Sequence, residues 1–191
     1  MSQSPALTIL LDILTEYKDR IAIDGASRIL VTDAAVAKKL AEEHKDISTP
    51  YGPTFTVASA AGGAGDSSKT EDLGPNITFE PIESLMPKMD YFSHAITDVS
   101  LADGKTVMEI MKWAKYALKP KGIAVVVALK RTEAGEFKER MLAQSKNRIA
   151  DLGDIFEFAG FETGKVRRLE RGSGKEEAEV VLGMKWDQLT A

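Results

Sequence analysis

The sequence predicts an α/β domain: a seven-stranded, mostly parallel sheet with helices on both faces and an antiparallel last strand. Three observations carry this. Short apolar strands alternate with amphipathic helical segments along most of the 191 residues, the pattern that produces parallel crossovers. Residues 123–129 (I-A-V-V-V-A-L) are apolar without a break and rich in β-branched side chains, as a strand covered on both faces requires. Residues 166–169 and 179–184 flank a turn containing R-G-S-G-K, which reads as a terminal antiparallel pair.

The elements follow in order. Ser4-Pro5 opens a helix, with serine as the cap and proline at the first helical position, where its missing N–H costs nothing. Leu7, Leu10, Leu11, Leu14 and Tyr17 recur at helical spacing and give residues 1–24 the apolar stripe of a lead helix packed on the domain. Gly25 breaks that period, and R-I-L-V at 28–31 is a short buried strand. Asp33 then caps a helix that turns Val36 and Leu40 toward the sheet. T-P-Y-G-P leads into a second strand, F-T-V-A-S. Residues 60–76 are rich in Gly, Ser, Ala and Asp without an apolar period, which predicts a long mobile loop. I-T-F at 77–79 and Y-F-S-H-A-I-T at 91–97 supply the third and fourth strands. A helix after Asp103-Gly104 points Val107, Ile110, Met111, Ala114 and Leu118 inward and ends near Pro120. Further helices are expected at 137–141 and 149–159, the second stopped by Gly160.

Composition sets the outer bounds. An apolar content of 43% supports a buried core, and the length suits one domain over residues 1–191. The net charge of −4 is spread along the chain, which argues against nucleic acid as a partner. The densest basic stretch, Lys165, Arg167, Arg168 and Arg171, is interleaved with Glu162 and Glu170 and reads as a solvated strand. With no cysteine, disulfides, thiol catalysis and cysteine-ligated metals are excluded. The two histidines and the carboxylates show no metal-ligand spacing. No apolar run approaches the ~18 residues of a membrane span, and no basic region precedes the first apolar stretch. A soluble cytoplasmic protein without membrane association is expected.

Three junctions point to a family. They are the turn Tyr116-Ala117-Leu118-Lys119-Pro120-Lys121-Gly122, the run Phe156-Glu157-Phe158-Ala159-Gly160-Phe161-Glu162, and the closing E-V-V-L-G-M-K-W. In this order and spacing they resemble the class I S-adenosylmethionine-dependent methyltransferases, from Arg28 onward. The resemblance implies a Rossmann-like sheet whose last strand hydrogen-bonds between the fifth and sixth. It also implies a place for the methyl donor. In the family an acidic residue ends the first strand and alternating glycines follow it. A second carboxylate, after the second strand, holds the ribose. A third often stands near the adenine. Here Asp33 matches the first, while the glycine positions hold Ala35, Ala37 and Lys39. The second strand runs into Ala58-Ser59-Ala60-Ala61 with no carboxylate, so Ser59 offers one hydrogen bond in place of a bidentate pair. Glu83 matches the third.

Candidate chemistry clusters on the fourth strand. His94 is expected near its C-terminal end, at the edge where ligands bind in such sheets, as a general base or a satisfied structural histidine. Asp98 is the other catalytic candidate, with a turn role as the alternative. Met86, Met89, Met108 and Met111 fill the core or line an adaptable pocket. Ala61-Gly62-Gly63-Ala64-Gly65 lacks the helix opening that a phosphate loop needs directly after its glycines.

Two functional readings follow. In the first, the fold has lost ordinary donor binding, needs no cofactor, and serves as a binding or interaction module whose partner is a small molecule or a protein. In the second, the chain is a divergent S-adenosylmethionine-dependent methyltransferase, or a cyclase on that fold, acting on a small molecule. Asp33, Ala35, Ser59 and Glu83 would then hold the donor, and His94 or Asp98 would serve the acceptor. A homodimer is expected if the lead helix leaves its apolar face uncovered.

Overall fold

The structure is a computed structural model. It describes residues 5–46, 52–59, 74–85, 88–99, 104–129, 148–172 and 177–186, with four single positions between 139 and 146. The helices are α1 (Pro5–Glu16), α2 (Lys18–Ile21), α3 (Ala34–Glu43), α4 (Gly104–Ala117) and α5 (Leu152–Ala159). The strands are β1 (Arg28–Val31), β2 (Thr54–Ser59), β3 (Ile77–Pro81), β4 (Phe92–Val99), β5 (Leu118–Leu129), β6 (Arg167–Arg171) and β7 (Ala178–Met184). Short 3-10 turns occupy Ile82–Leu85 and Thr163–Lys165.

The seven strands form one sheet in the order β3-β2-β1-β4-β5-β7-β6. Pairings among β1 to β5 are parallel, and β7 runs antiparallel to both β5 and β6. The last strand therefore sits between the fifth and sixth, as the resemblance implies.

Alternation along the strands divides the core into two layers. Ile29, Val31, Ile96, Val125 and Val127 face α1 and α3 in one buried cluster. Leu30, Ala95, Ala124, Val126 and Ala128 face α4 and α5 in the other. Leu7, Leu10, Leu11 and Leu14 of α1 are buried in the first layer. The lead helix thus covers the sheet with its apolar stripe.

Gly183 shows how closely the second layer packs. A Cβ there would stand 2.6 Å from the Phe156 ring, so its absence lets Phe156 and Phe161 lie against β7. Gly160 ends α5 at φ 95°, and the Phe161 N–H closes onto the Phe156 carbonyl at 3.1 Å, a Schellman-type stop. Arg168 of β6 reaches back to Asp151, Asp154 and Glu157. Arg171 pairs with Glu16, and Lys165 with Glu162, so much of the basic stretch is neutralised locally.

Some boundaries differ from the sequence reading. The helix expected to reach Pro120 stops at Ala117, because Leu118 already pairs with Phe92. Lys119 to Gly122 then form an irregularity inside β5, with Lys121 at φ 63°, before Ile123 pairs with His94. That extra length re-registers the strand. The helix expected from residue 149 begins at Leu152, where Asp151 caps it by accepting the Asp154 N–H. The Ser4 cap, most of loop 60–76 with its Gly-rich run, and most of the helix expected at 137–141 lie outside the described residues.

Candidate functional site

Strand order reverses between β1 and β4: the chain leaves β1 toward β2 and β3, then returns to β4 on the other side. The C-terminal edge at such a switch point is where a doubly wound sheet opens a crevice. Two similar segments meet there, Val31-Thr32-Asp33 and Ile96-Thr97-Asp98. Val31 is in register with both Val57 and Ile96. Two residues further on, Asp33, Ser59 and Asp98 therefore stand at the same height on neighbouring strands.

The side chains divide between the faces. Thr32 and Thr97 hydrogen-bond through their hydroxyls on the α4 side, and Thr97 also donates to the Asp98 carbonyl at 2.9 Å. Asp98 points to the α3 side and is half-buried. Burial pushes its carboxyl above the ordinary range, and the charge of Asp33 pushes it further the same way, against a backbone hydrogen bond that opposes both. A carboxyl so placed holds its proton longer than a solvated one and suits proton transfer at an edge.

Asp33 itself is the cap of α3. Only Thr32 and Asp33 separate β1 from that helix, and Asp33 Oδ1 accepts the Ala35 N–H at 2.6 Å. Ala35 is exposed, whereas Ala37 is fully buried against the sheet. The positions where the family has a glycine turn are here the first turns of a capped helix. Ser59 ends β2, with its backbone beside Pro81, and Glu83 lies in the 3-10 turn after β3. Beneath the two threonines, toward α4, is a cavity of about 20 Å³, with Leu30, Ala58, Leu85 and Met111 in its lining. That is room for roughly one water. Met111 is the one methionine of the four in the lining; Met108 packs at the core, Met89 is exposed, and Met86 lies outside the described residues.

His94 is elsewhere, and its expected position is corrected. β4 continues to Val99, so His94 is its third residue, level with Ile29 near the start of β1. Asp98 is four positions further along the strand, about 13 Å away. The ring is 4% exposed. Nε2 lies 2.6 Å from the Ile21 carbonyl and Nδ1 2.8 Å from Ser93 Oγ. A carbonyl can only accept, so Nε2 carries the proton and Nδ1 is left to accept from the Ser93 hydroxyl, which also lies 3.1 Å from the Arg28 carbonyl. Burial holds the imidazole below its ordinary value; the Ile21 carbonyl opposes this, and Lys119 adds to it. The structure brings Asp33, Ser59 and Asp98 to one edge and leaves His94 between β4 and the end of α2.

The threonine pair was missed in the sequence, although the repeated T-D at two strand ends was the available signal. Among the described residues no group of three metal-ligating side chains occurs, and no helix is long and apolar enough to cross a membrane.

No family model and no curated protein matches the sequence. Solved structures do resemble it. The CurJ carbon methyltransferase is 12% identical with a TM-score of 0.63, over 95% of this chain and 54% of that one. A methyltransferase from Methanosarcina mazei, described as S-adenosylmethionine-dependent, is 15% identical with a TM-score of 0.57, over 91% and 97%. The S-adenosylmethionine-dependent methyltransferase SibL is 17% identical with a TM-score of 0.57, over 85% and 51%. The fold is that of the class I methyltransferases. The chain spans about half the length of CurJ and SibL, and at such identities the likeness is one of fold.

Proposed function

We propose that this methyltransferase-fold chain is a binding module that does not hold S-adenosylmethionine in the family's ordinary way. The observation that carries this is the two-residue link between β1 and α3, with the Asp33 carboxylate engaged by the Ala35 N–H. A donor's amino-acid moiety needs open backbone at that turn, and here it meets a capped helix. Ala37, at a glycine position of the family, is core. The cavity of about 20 Å³ is far below the ~300 Å³ at which small-molecule sites begin. The capped turn at Asp33 and the buried Ala37 both support a chain that leaves the donor's amino-acid moiety without its usual place. The partner is a small molecule or a protein.

A second reading has one observation in its favour. Asp98 combines an edge position with a raised carboxyl, as an acid–base residue of a divergent small-molecule methyltransferase would.

Calorimetric titration of the protein with S-adenosylmethionine and S-adenosylhomocysteine separates the two. The expected result is no heat of binding up to millimolar ligand. Micromolar binding would overturn the first reading.

A further inference from the structure

A second, larger cleft is at the opposite edge of the sheet. It opens where β1, β4 and β5 begin, is lined by Ala26, Arg28, Asp90, Tyr91, Ser93 and Lys119, and measures about 280 Å³. That is close to the lower end of small-ligand sites. We propose that this cleft binds the phosphate group of a small phosphorylated molecule, held by Arg28 and Lys119.

Charge selects the ligand class. Three charged side chains line the cleft, and its one carboxylate, Asp90, is 2.6 Å from Lys185 Nζ. Arg28 and Lys119 have no carboxylate partner among the described residues. Two cations thus face the opening with the local acid already neutralised. A phosphate monoester supplies the missing charge, and its oxygens match the fork of a guanidinium.

The positions are prepared. The Arg28 guanidinium lies over the Tyr91 ring, 4.4 Å from its centroid, a contact that restrains a long side chain. Its backbone is fixed by Ser93, whose Oγ takes the Arg28 N–H at 3.0 Å. Ser93 is 8% exposed and forms the polar floor. Its one hydroxyl hydrogen is shared between His94 Nδ1 and the Arg28 carbonyl, so the cations carry the recognition. Lys119 is presented by the irregularity at the start of β5. Residues from three strands thus converge on one opening, which a solvated row of lysines on a single element would not do.

The test is a titration followed by amide NMR, with phenyl phosphate, inorganic phosphate and phenol as separate probes. Phenyl phosphate is expected to shift the amides of Arg28, Tyr91 and Lys119 saturably, and phenol to leave them unmoved. Saturation by inorganic phosphate alone at the same affinity would mark the ester's organic part as unrecognised and overturn the small-molecule half of the proposal. Arg28→Gln and Lys119→Gln should each weaken binding about tenfold, the scale of one lost charge-assisted contact. Lys165→Gln, on the Thr163–Lys165 turn, should change nothing. Linear shifts, or equal affinity in all three variants, would overturn the proposal. Because Lys119 is exposed on the strand irregularity, its variant still reports if Arg28→Gln fails to fold. A response to S-adenosylhomocysteine at Thr32 to Ala35 would refute the preceding section and leave this one standing.

Discussion

Asp33 raises the proton affinity of Asp98 across the gap between β1 and β4. The two carboxylates end matching segments of adjacent strands. Removing the Asp33 charge while keeping a cap should lower the Asp98 pKa. Asp33→Ser does this, since serine caps nearly as well as aspartate. Carboxyl carbon shifts followed through acid pH provide the measurement, and an unchanged Asp98 titration would refute the coupling.

The same pair sets a stability trend. A carboxyl with a raised folded value binds its proton more readily in the folded state than in the unfolded one. Its penalty is therefore full at neutral pH and relieved as pH falls through the folded value. Asp98→Asn should raise the melting temperature at pH 7, on the order of 2 °C, and the gain should vanish in acid. A loss at pH 7 would show that the Asp98 charge has a partner of its own.

Asp33→Ala tests the cap. Losing the bond to the Ala35 N–H should cost about 1 kcal/mol, roughly 2–4 °C in a chain of this size. Asp33→Asn should keep most of it. Equal losses in both variants would mean that charge, not capping, is the source.

His94 gives the opposite pH sign. Its folded value lies below the ordinary one, because burial disfavours the imidazolium. The unfolded chain takes up a proton near pH 6.5 that the folded chain refuses. Stability from neutral His94 is thus complete above that pH and is lost as pH falls toward the folded value. Urea midpoints measured across this window should slope for the parent and flatten for His94→Gln. Parallel curves would refute the assignment.

Gly183→Ala would drive a methyl into the Phe156 ring. Overpacking of this kind costs about 1–3 kcal/mol, and Phe156→Leu in the same chain should recover part of it. No recovery would place the strain in the backbone instead.

Much of the fold was legible because the signals were local. The unbroken apolar run of β5, Gly160 after α5, and the spaced leucines of α1 each state one element's environment directly. Less legible were features fixed by partners distant in sequence. Leu118 reads as the last inward residue of a helix, yet pairing with Phe92 makes it the start of a strand. His94 reads as lying near the far end of β4 because Asp98 reads as a turn, and only pairing with Val127 and Ala128 draws Asp98 and Val99 into the sheet. In the site, Asp33 and Asp98 could each be named from the sequence. That they share one edge, and that Arg28, Tyr91 and Lys119 share a cleft, follows from register between strands about 60 to 90 residues apart, which no local pattern encodes.

The insertion of β7 between β5 and β6 has a consequence for biosynthesis. β6 leaves the ribosome before the strand that will tie it to the sheet. Until Ala178–Met184 has been made, β5 presents an open row of backbone donors and acceptors beside Val125 and Val127, the kind of edge on which nascent chains associate. Closure must wait for the strand made after all the others of the sheet, so the middle of this sheet stays open until Ala178–Met184 emerges.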